Sequence, residues 1–259
     1  MSTAKYTSTT INRKTVRYIE ADLDAINVEG ITSLSGSNKF GVNGTFFGGS
    51  PALLTGIAVA KSGSSPQPVG PSSSGSINGT SSKLFRRGTM FHFSPDLNDG
   101  TFLKVQVLHN YTDVKDNSGN AVPSSRIKWA IGGLSLHLNE NYTTSTQFYS
   151  RTSPNPKGIC TDIEENASSV NNVCDNAARA RTAIGYKAGR KIILAAIESA
   201  SVWDVRGIMK SLDCTMGISL DGGSSTGIRA KNSSGGTVAW GAVSTAVRSA
   251  VTVNPTTWV

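Results

Sequence analysis

Residues 192–197, Ile-Ile-Leu-Ala-Ala-Ile, form an unbroken apolar run reached through the polar turn Lys187-Ala188-Gly189-Arg190. The residues before that turn, Arg181-Thr182-Ala183-Ile184-Gly185-Tyr186, are mostly apolar as well. Short apolar runs with β-branched residues on either side of a glycine turn read as strands, so this pair is a hairpin buried on at least one face. A sheet with such an interior needs a substantial core, and 259 residues can bury one, which favours one large domain over two small ones. With charged residues at only 16% and glycine, serine, threonine and asparagine abundant, the chain reads as strands and loops rather than a helical bundle.

The rest of the sequence fits that frame. Residues 15–23 read as a strand after a flexible start at 1–14. Shorter strands follow at 53–61, 88–93, 101–109 and 126–138, and turn signals such as Asp96-Leu97-Asn98-Asp99-Gly100 separate them. Ser201-Val202-Trp203-Asp204 opens a helix as a variant capping box, with Val205, Ile208, Met209 and Leu212 as its apolar stripe. Residues 246–253 alternate as a last strand that includes Arg248. The expected fold class is α+β: a single domain over 15–259 with a large mixed or mostly antiparallel sheet and few helices. The Ser/Gly/Pro-rich stretch 62–82 is expected to be a loop within that domain, because it has too little apolar surface to pack.

Several function classes fall away. No apolar run is long enough to span a bilayer, and the first residues lack the apolar centre of a signal peptide, so the compartment stays open. The net charge of +8 allows acidic partners, but the basic residues are scattered without interleaved aromatics, which argues against nucleic-acid binding. Cys160, Cys174 and Cys214 match no zinc spacing; the first two could bridge in an oxidising compartment, and Cys214 reads as a buried thiol. His92, His109 and His137 have no metal-like neighbours and read as structural. The acidic turns at 96–100 and 113–120 lack the closing glutamate of a calcium loop. No metal and no cofactor are expected.

Chemistry concentrates at Met216-Gly217-Ile218-Ser219-Leu220-Asp221-Gly222-Gly223-Ser224-Ser225. A short buried strand delivers the Asp221 carboxylate into a glycine turn followed by two hydroxyls. Glycine lets a ligand approach the backbone N–H groups, and the set suits a sugar or a phosphate. Glu198 is a second carboxylate at the end of an apolar run. Asn43-Gly44 is first a tight turn, and Asn43 also offers an amide to a ligand. Gly132 and Gly133 sit inside a strand, where they signal a bulge or the close approach of another backbone or a ligand.

Taken together these segments resemble the phosphodiester glycosidase family. The matching pieces, in order, are Val42-Asn43-Gly44-Thr45-Phe46-Phe47, Ile131-Gly132-Gly133-Leu134, Arg181-Thr182-Ala183-Ile184-Gly185, the apolar strand to Glu198 with the capped helix, Leu220-Asp221-Gly222-Gly223-Ser224-Ser225, and Val247-Arg248-Ser249-Ala250-Val251. The resemblance implies a hydrolase that breaks the bond from an anomeric carbon to a phosphate oxygen, on a sugar-1-phosphodiester such as that of N-acetylglucosamine. The substrate would be a sugar-phosphate-containing glycan, nucleotide sugar or wall polymer. On that reading Asp221, Glu198 and Arg181 are catalytic. Asn43, Gly44, Gly132, Gly133, Thr182, Gly222, Gly223, Ser224, Ser225 and Arg248 bind substrate, the arginines because their planar forks match phosphate oxygens. The alternative is a carbohydrate- or phosphate-binding module on a cell or virion surface, which keeps the pocket without turnover.

Overall fold

The structure, a computed structural model, describes residues 1–48, 53–70, 87–149 and 176–259. The first part of the chain forms β1 (Thr3–Ile11), β2 (Lys14–Asp22), β3 (Ile26–Glu29), β4 (Gly41–Asn43), β5 (Phe47–Gly48) and β6 (Leu53–Leu54). It continues with β7 (Ala58–Ser62), β8 (Ser65–Pro68), β9 (Arg87–Phe93), β10 (Leu103–Leu108), β11 (Ile127–Ser135) and the short helix α1 (Ser145–Tyr149). The predicted hairpin is β12 (Arg179–Lys187) and β13 (Lys191–Ala200), followed by α2 (Val202–Ser211) and β14 (Cys214–Ser219). The chain closes with β15 (Gly227–Lys231), β16 (Thr237–Gly241), β17 (Ala250–Val253) and β18 (Thr257–Trp258).

An 11-stranded sheet runs β10-β9-β11-β14-β12-β13-β2-β1-β18, with the β7–β8 hairpin branching from β11. A 5-stranded sheet, β16-β15-β4-β17-β3, packs on one face of it. Neighbours are antiparallel except β1 and β18, which pair in parallel. The fold is α+β, with a large mixed sheet and few helices.

Side-chain alternation explains the apolar run. Ile192, Leu194 and Ala196 enter the core between the two sheets, with Ile19, Ile184 and Val42. Ile193, Ala195 and Ile197 enter a second core on the opposite face, under Val205, Ile208 and Met209 of α2. Both faces of β13 are covered, so the strand has no polar face to present. The α2 box forms as the sequence suggests: the Asp204 N–H donates to Ser201 Oγ (3.1 Å) and the Ser201 N–H to Asp204 Oδ2 (2.8 Å). Gly185 is required beneath the helix, since a Cβ there would lie 2.4 Å from Met209 Cε.

Three expectations change. The chain start forms a strand: β1 pairs with β2 from Ala4–Ala21 to Ile11–Lys14 around a two-residue turn, Asn12 and Arg13, both at positive φ (49° and 63°). That is the backbone of a tight hairpin turn, built without the usual glycine. The stretch at 62–82 begins as the β7–β8 hairpin rather than as loop; its remainder from 71 lies outside the described residues, as do Cys160 and Cys174. The strand expected at 246–253 is β17, which starts at Ala250, so Arg248 precedes it. Among the described residues no helix is long and apolar enough to cross a membrane.

Candidate active site

The β14 strand ends at Ser219, and Leu220 continues its ladder by donating to the Thr182 carbonyl (2.8 Å). At Asp221 the chain leaves the large sheet for the small one, because the Asp221 N–H donates to the Gly44 carbonyl (3.2 Å). Asn43 fastens this crossing. Its Nδ2 donates to the Asp221 carbonyl (2.8 Å), and its Oδ1 accepts from the Thr182 hydroxyl (2.6 Å) and the Gly227 N–H (3.1 Å). Asn43 is 1% exposed, so the amide links β4, β12, the Asp221 turn and β15 from inside the protein.

Around the Asp221 carboxylate the sequence places small residues. Gly222 donates its N–H to Asp221 Oδ1 (2.9 Å), and Ser225 reaches the same carboxylate with its side chain. A Cβ on Gly222 would lie 3.0 Å from the Ala180 carbonyl and 3.5 Å from Arg181 Cδ, so the turn rests directly on the start of β12. Gly223 takes φ 62°, a left-handed conformation that glycine adopts without strain. Arg181 is 4% exposed; its Nε donates to the Ala200 carbonyl and its Nη2 to the Ala177 carbonyl, each at 3.1 Å. Burial pushes the Asp221 carboxyl up to about 6, against the pull of the Ser225 and Gly222 hydrogen bonds and the nearby Arg181 charge. Asp221 is only half-buried by solvent area, yet protein surrounds its carboxylate closely enough for desolvation to dominate.

Gly44, Arg248 and Ser249 meet at the same crossing. The Gly44 N–H donates to the Ser249 carbonyl (2.9 Å) and the Thr45 N–H to Ser249 Oγ (3.2 Å). Arg248, next in chain, is half-buried and makes no hydrogen bond or ion pair among the described residues. Ser224 is exposed on the turn, while Ser225 is buried. Among the described residues Thr45 and Thr226 each keep a buried hydroxyl without a hydrogen-bond partner.

Other predicted residues lie elsewhere. Gly132 and Gly133 accommodate protein backbone: Cβ atoms there would lie 2.9 Å from the Ile57 nitrogen and 2.2 Å from the Ser219 carbonyl oxygen. Glu198 does not end its strand. Between the pairs Arg181–Ile197 and Arg179–Ala200 two residues of β13 face one of β12, a β-bulge, and Glu198 sits in it. Its carboxylate is 49% exposed and lies 3.8 Å from Arg17 Nη1, whose guanidinium stacks over the Trp240 ring at 4.6 Å. Glu198 is thus on the same sheet edge as Asp221 but two strands across, roughly 10 Å at ordinary strand spacing.

Sequence reasoning overlooks Arg87, 1% exposed at the start of β9, with its guanidinium 5.3 Å from the Phe46 ring. It stands at the same end of the large sheet as the Gly44–Phe46 loop; its only signal is a charged residue heading the apolar run 88–93. His92 is buried edge-on to Trp129, and burial with Lys128 and Arg190 nearby pushes it down to about 3, consistent with a structural residue. Among the described residues, no three His, Cys, Asp or Glu side chains gather as a metal site.

The comparisons agree with this architecture. Over 98% of its length the chain superposes on 83% of the zebrafish N-acetylglucosamine-1-phosphodiester alpha-N-acetylglucosaminidase catalytic domain, described as auto-inhibited by its pro-peptide, with TM-score 0.55 and 14% identity. A protein of Burkholderia pseudomallei gives TM-score 0.52 at 13% identity over 93% of this chain and 74% of that one. At such identities the likeness shows the fold. No curated protein sequence matches the chain. The profile of the phosphodiester glycosidase family matches residues 101–253, more than half of the sequence and the part that carries Arg181, Asp221 and Arg248. The chain belongs to the phosphodiester glycosidase family.

Proposed function

We propose that the chain hydrolyses a sugar-1-phosphodiester at the bond between the anomeric carbon and the phosphate oxygen. Asp221 acts at the anomeric carbon as the base that takes a proton from the attacking water. The new bond forms between water oxygen and the anomeric carbon, the old C–O bond breaks, and its electron pair leaves with the phosphate monoester. That leaving group is already a weak base, so one carboxylate suffices where ordinary glycoside hydrolysis needs two. Arg181 and Arg248 hold the phosphate, and the Gly222–Gly223 backbone with Ser224 and Ser225 receives the sugar. Glu198, out on the rim, orients a hydroxyl of the substrate.

The observation that carries this reading is the company Asp221 keeps: a desolvated carboxylate on a glycine turn packed directly on Arg181. A carboxyl whose protonation balances near pH 6 is matched to general-base work. The zebrafish neighbour, named as an N-acetylglucosamine-1-phosphodiester glycosidase, makes that sugar the first to try. The test is release of reducing sugar from UDP-N-acetylglucosamine and from methyl N-acetylglucosamine-1-phosphate, with Asp221→Asn and Arg181→Lys as controls. Turnover abolished by Asp221→Asn supports the reading. Turnover that survives Asp221→Asn refutes the assignment. Thermal stabilisation by sugar phosphates without turnover replaces it with a binding module.

A further inference from the structure

Arg126 heads β11, and at this end of the strand the loops 94–100 and 114–126 enclose a cleft of 480 Å³. The Asp221 crossing lies at the other end of β11, where Ser135 pairs with Ile218. Nine residues of strand separate the two ends, roughly 25 Å at ordinary rise per residue. The cleft is therefore a separate place on the molecule, with nothing so far assigned to it.

Its lining has two characters. Leu97 and Val122, 8% and 6% exposed, and Pro123 offer apolar surface. Around them stand polar groups with capacity left over. Asn98 accepts from Arg126 Nη2 through Oδ1 (3.4 Å), and its amide N–H groups are unengaged among the described residues. Asn120 donates through Nδ2 to Asp116 (3.1 Å), which leaves its Oδ1 open. The Ser125 hydroxyl is likewise without a partner among the described residues. One donor, one acceptor and one group that is both thus belong to exposed residues that line the cleft beside a small apolar surface.

Hydrogen bonds also tie the loops to one another. The Asp116 carboxylate accepts from the Ser118 N–H (2.9 Å) and the Asn120 N–H (2.8 Å). Asp99 accepts from the Thr101 N–H (2.9 Å) and the Asn117 N–H (3.3 Å), and Lys104 Nζ donates to the carbonyls of Lys115 (2.8 Å) and Asp116 (3.0 Å). A cleft whose walls are fixed before a ligand arrives loses little entropy on binding.

We propose that this cleft is a second, non-catalytic binding site for a neutral saccharide. The volume is that of a small-molecule site and too small for a helix or a folded partner. An anion is disfavoured, because the Asp116 carboxylate lines the cleft and offsets the charge of Arg126, whose Nη2 donates to the Asp96 carbonyl (2.6 Å) and to Asn98 and whose Nε is buried. A flat aromatic ligand is disfavoured, because no aromatic side chain among the described residues lines it. A sugar ring presents what remains: hydroxyls that both donate and accept around its rim, and C–H faces for Leu97, Val122 and Pro123. Such a site would hold a glycan chain on the protein independently of chemistry at Asp221.

The test is saturation-transfer NMR on the full chain with glucose, galactose, mannose, N-acetylglucosamine and maltose as probes, and inorganic phosphate as the anion control. At least one saccharide should bind. Ala121→Trp, which fills the cleft from an exposed position, should abolish that binding at unchanged melting temperature. Asn98→Ala, a milder change, should weaken it by roughly five- to tenfold, the effect of one lost hydrogen bond. Asp221→Asn should leave it unchanged, which separates this site from the proposed hydrolytic one. The proposal is overturned if no saccharide in the panel binds, if phosphate binds in its place, or if binding survives both cleft variants. It is overturned equally if Asp221→Asn removes the binding, because the sugar then sits at the other site.

Discussion

Asn43→Ala tests whether the amide at the crossing is a brace or a ligand contact. The substitution removes three hydrogen bonds together, to the Asp221 carbonyl, the Thr182 hydroxyl and the Gly227 N–H. Since Asn43 is 1% exposed, water has little access to the groups left behind. At about 1 kcal/mol for each buried group left unsatisfied, the loss is about 3 kcal/mol. That is a large share of the ~5–15 kcal/mol that holds a typical domain together, and it corresponds to a fall of about 10 °C in Tm for a chain of this size. Thr182→Val removes one leg and should cost about 1 kcal/mol. In the Asn43→Ala background the same change deletes a hydroxyl that has already lost its partner, so its cost should vanish or reverse sign. Urea denaturation of the four proteins of this cycle, followed by tryptophan fluorescence, measures both quantities. A loss below about 1 kcal/mol for Asn43→Ala, or an equal Thr182→Val cost in both backgrounds, refutes the brace.

The Asp221 carboxyl is raised from 3.8 to about 6, so the fold binds its proton more tightly than the unfolded chain does. Its stabilising contribution is full below 3.8 and is lost as pH rises through about 6, so denaturation midpoints of Asp221→Asn should fall less over that range than those of the parent. Hydrolysis should rise with pH through about 6 as the carboxylate forms, which a kcat/KM profile on methyl N-acetylglucosamine-1-phosphate reads directly. Arg181→Lys keeps the charge but loses the planar fork, and kcat/KM should fall on the order of 10²-fold. Gly133→Ala places a Cβ 2.2 Å from the Ser219 carbonyl oxygen and should lower stability by about 1–3 kcal/mol in a thermal melt, whatever the substrate.

The sequence reveals most where the cause is local. The β12–β13 hairpin, the capped α2 and the strand into Asp221 follow from residues within a few positions of one another, and each forms, with β13 running past Glu198 to Ala200. Partners distant in sequence are harder to see. The β1 strand depends on β2 and on a turn of Asn12 and Arg13 that lacks the usual glycine, so nothing nearby marks it as ordered. Gly132 and Gly133 do mark a close approach, but sequence alone does not distinguish a ligand from the Ile57 and Ser219 backbones that occupy the space. Arg87 is hidden for the same reason: its burial comes from the Phe46 loop and from its place in a central strand, not from its neighbours in sequence.

Asp221 and Glu198 make the point most sharply, because in sequence they look alike. Each is a carboxylate after an apolar run. What separates them is what other segments bring. The Asn43–Gly44 loop arrives from the small sheet, binds the Asp221 main chain on both sides, and the glycine turn folds the carboxylate back over β12 beside Arg181. Protein crowds the carboxylate there, and desolvation makes the carboxyl a weaker acid. Glu198 falls at a bulge, where the ladder leaves it unopposed, and its carboxylate stays about half exposed near Arg17. Chemistry at an anomeric carbon asks for a base whose strength is set by its surroundings, and those of Asp221 raise its carboxyl to about 6. Glu198→Gln should therefore leave the pH midpoint of hydrolysis at about 6 and change at most KM, while a midpoint that moves with Glu198→Gln would transfer the base to that residue.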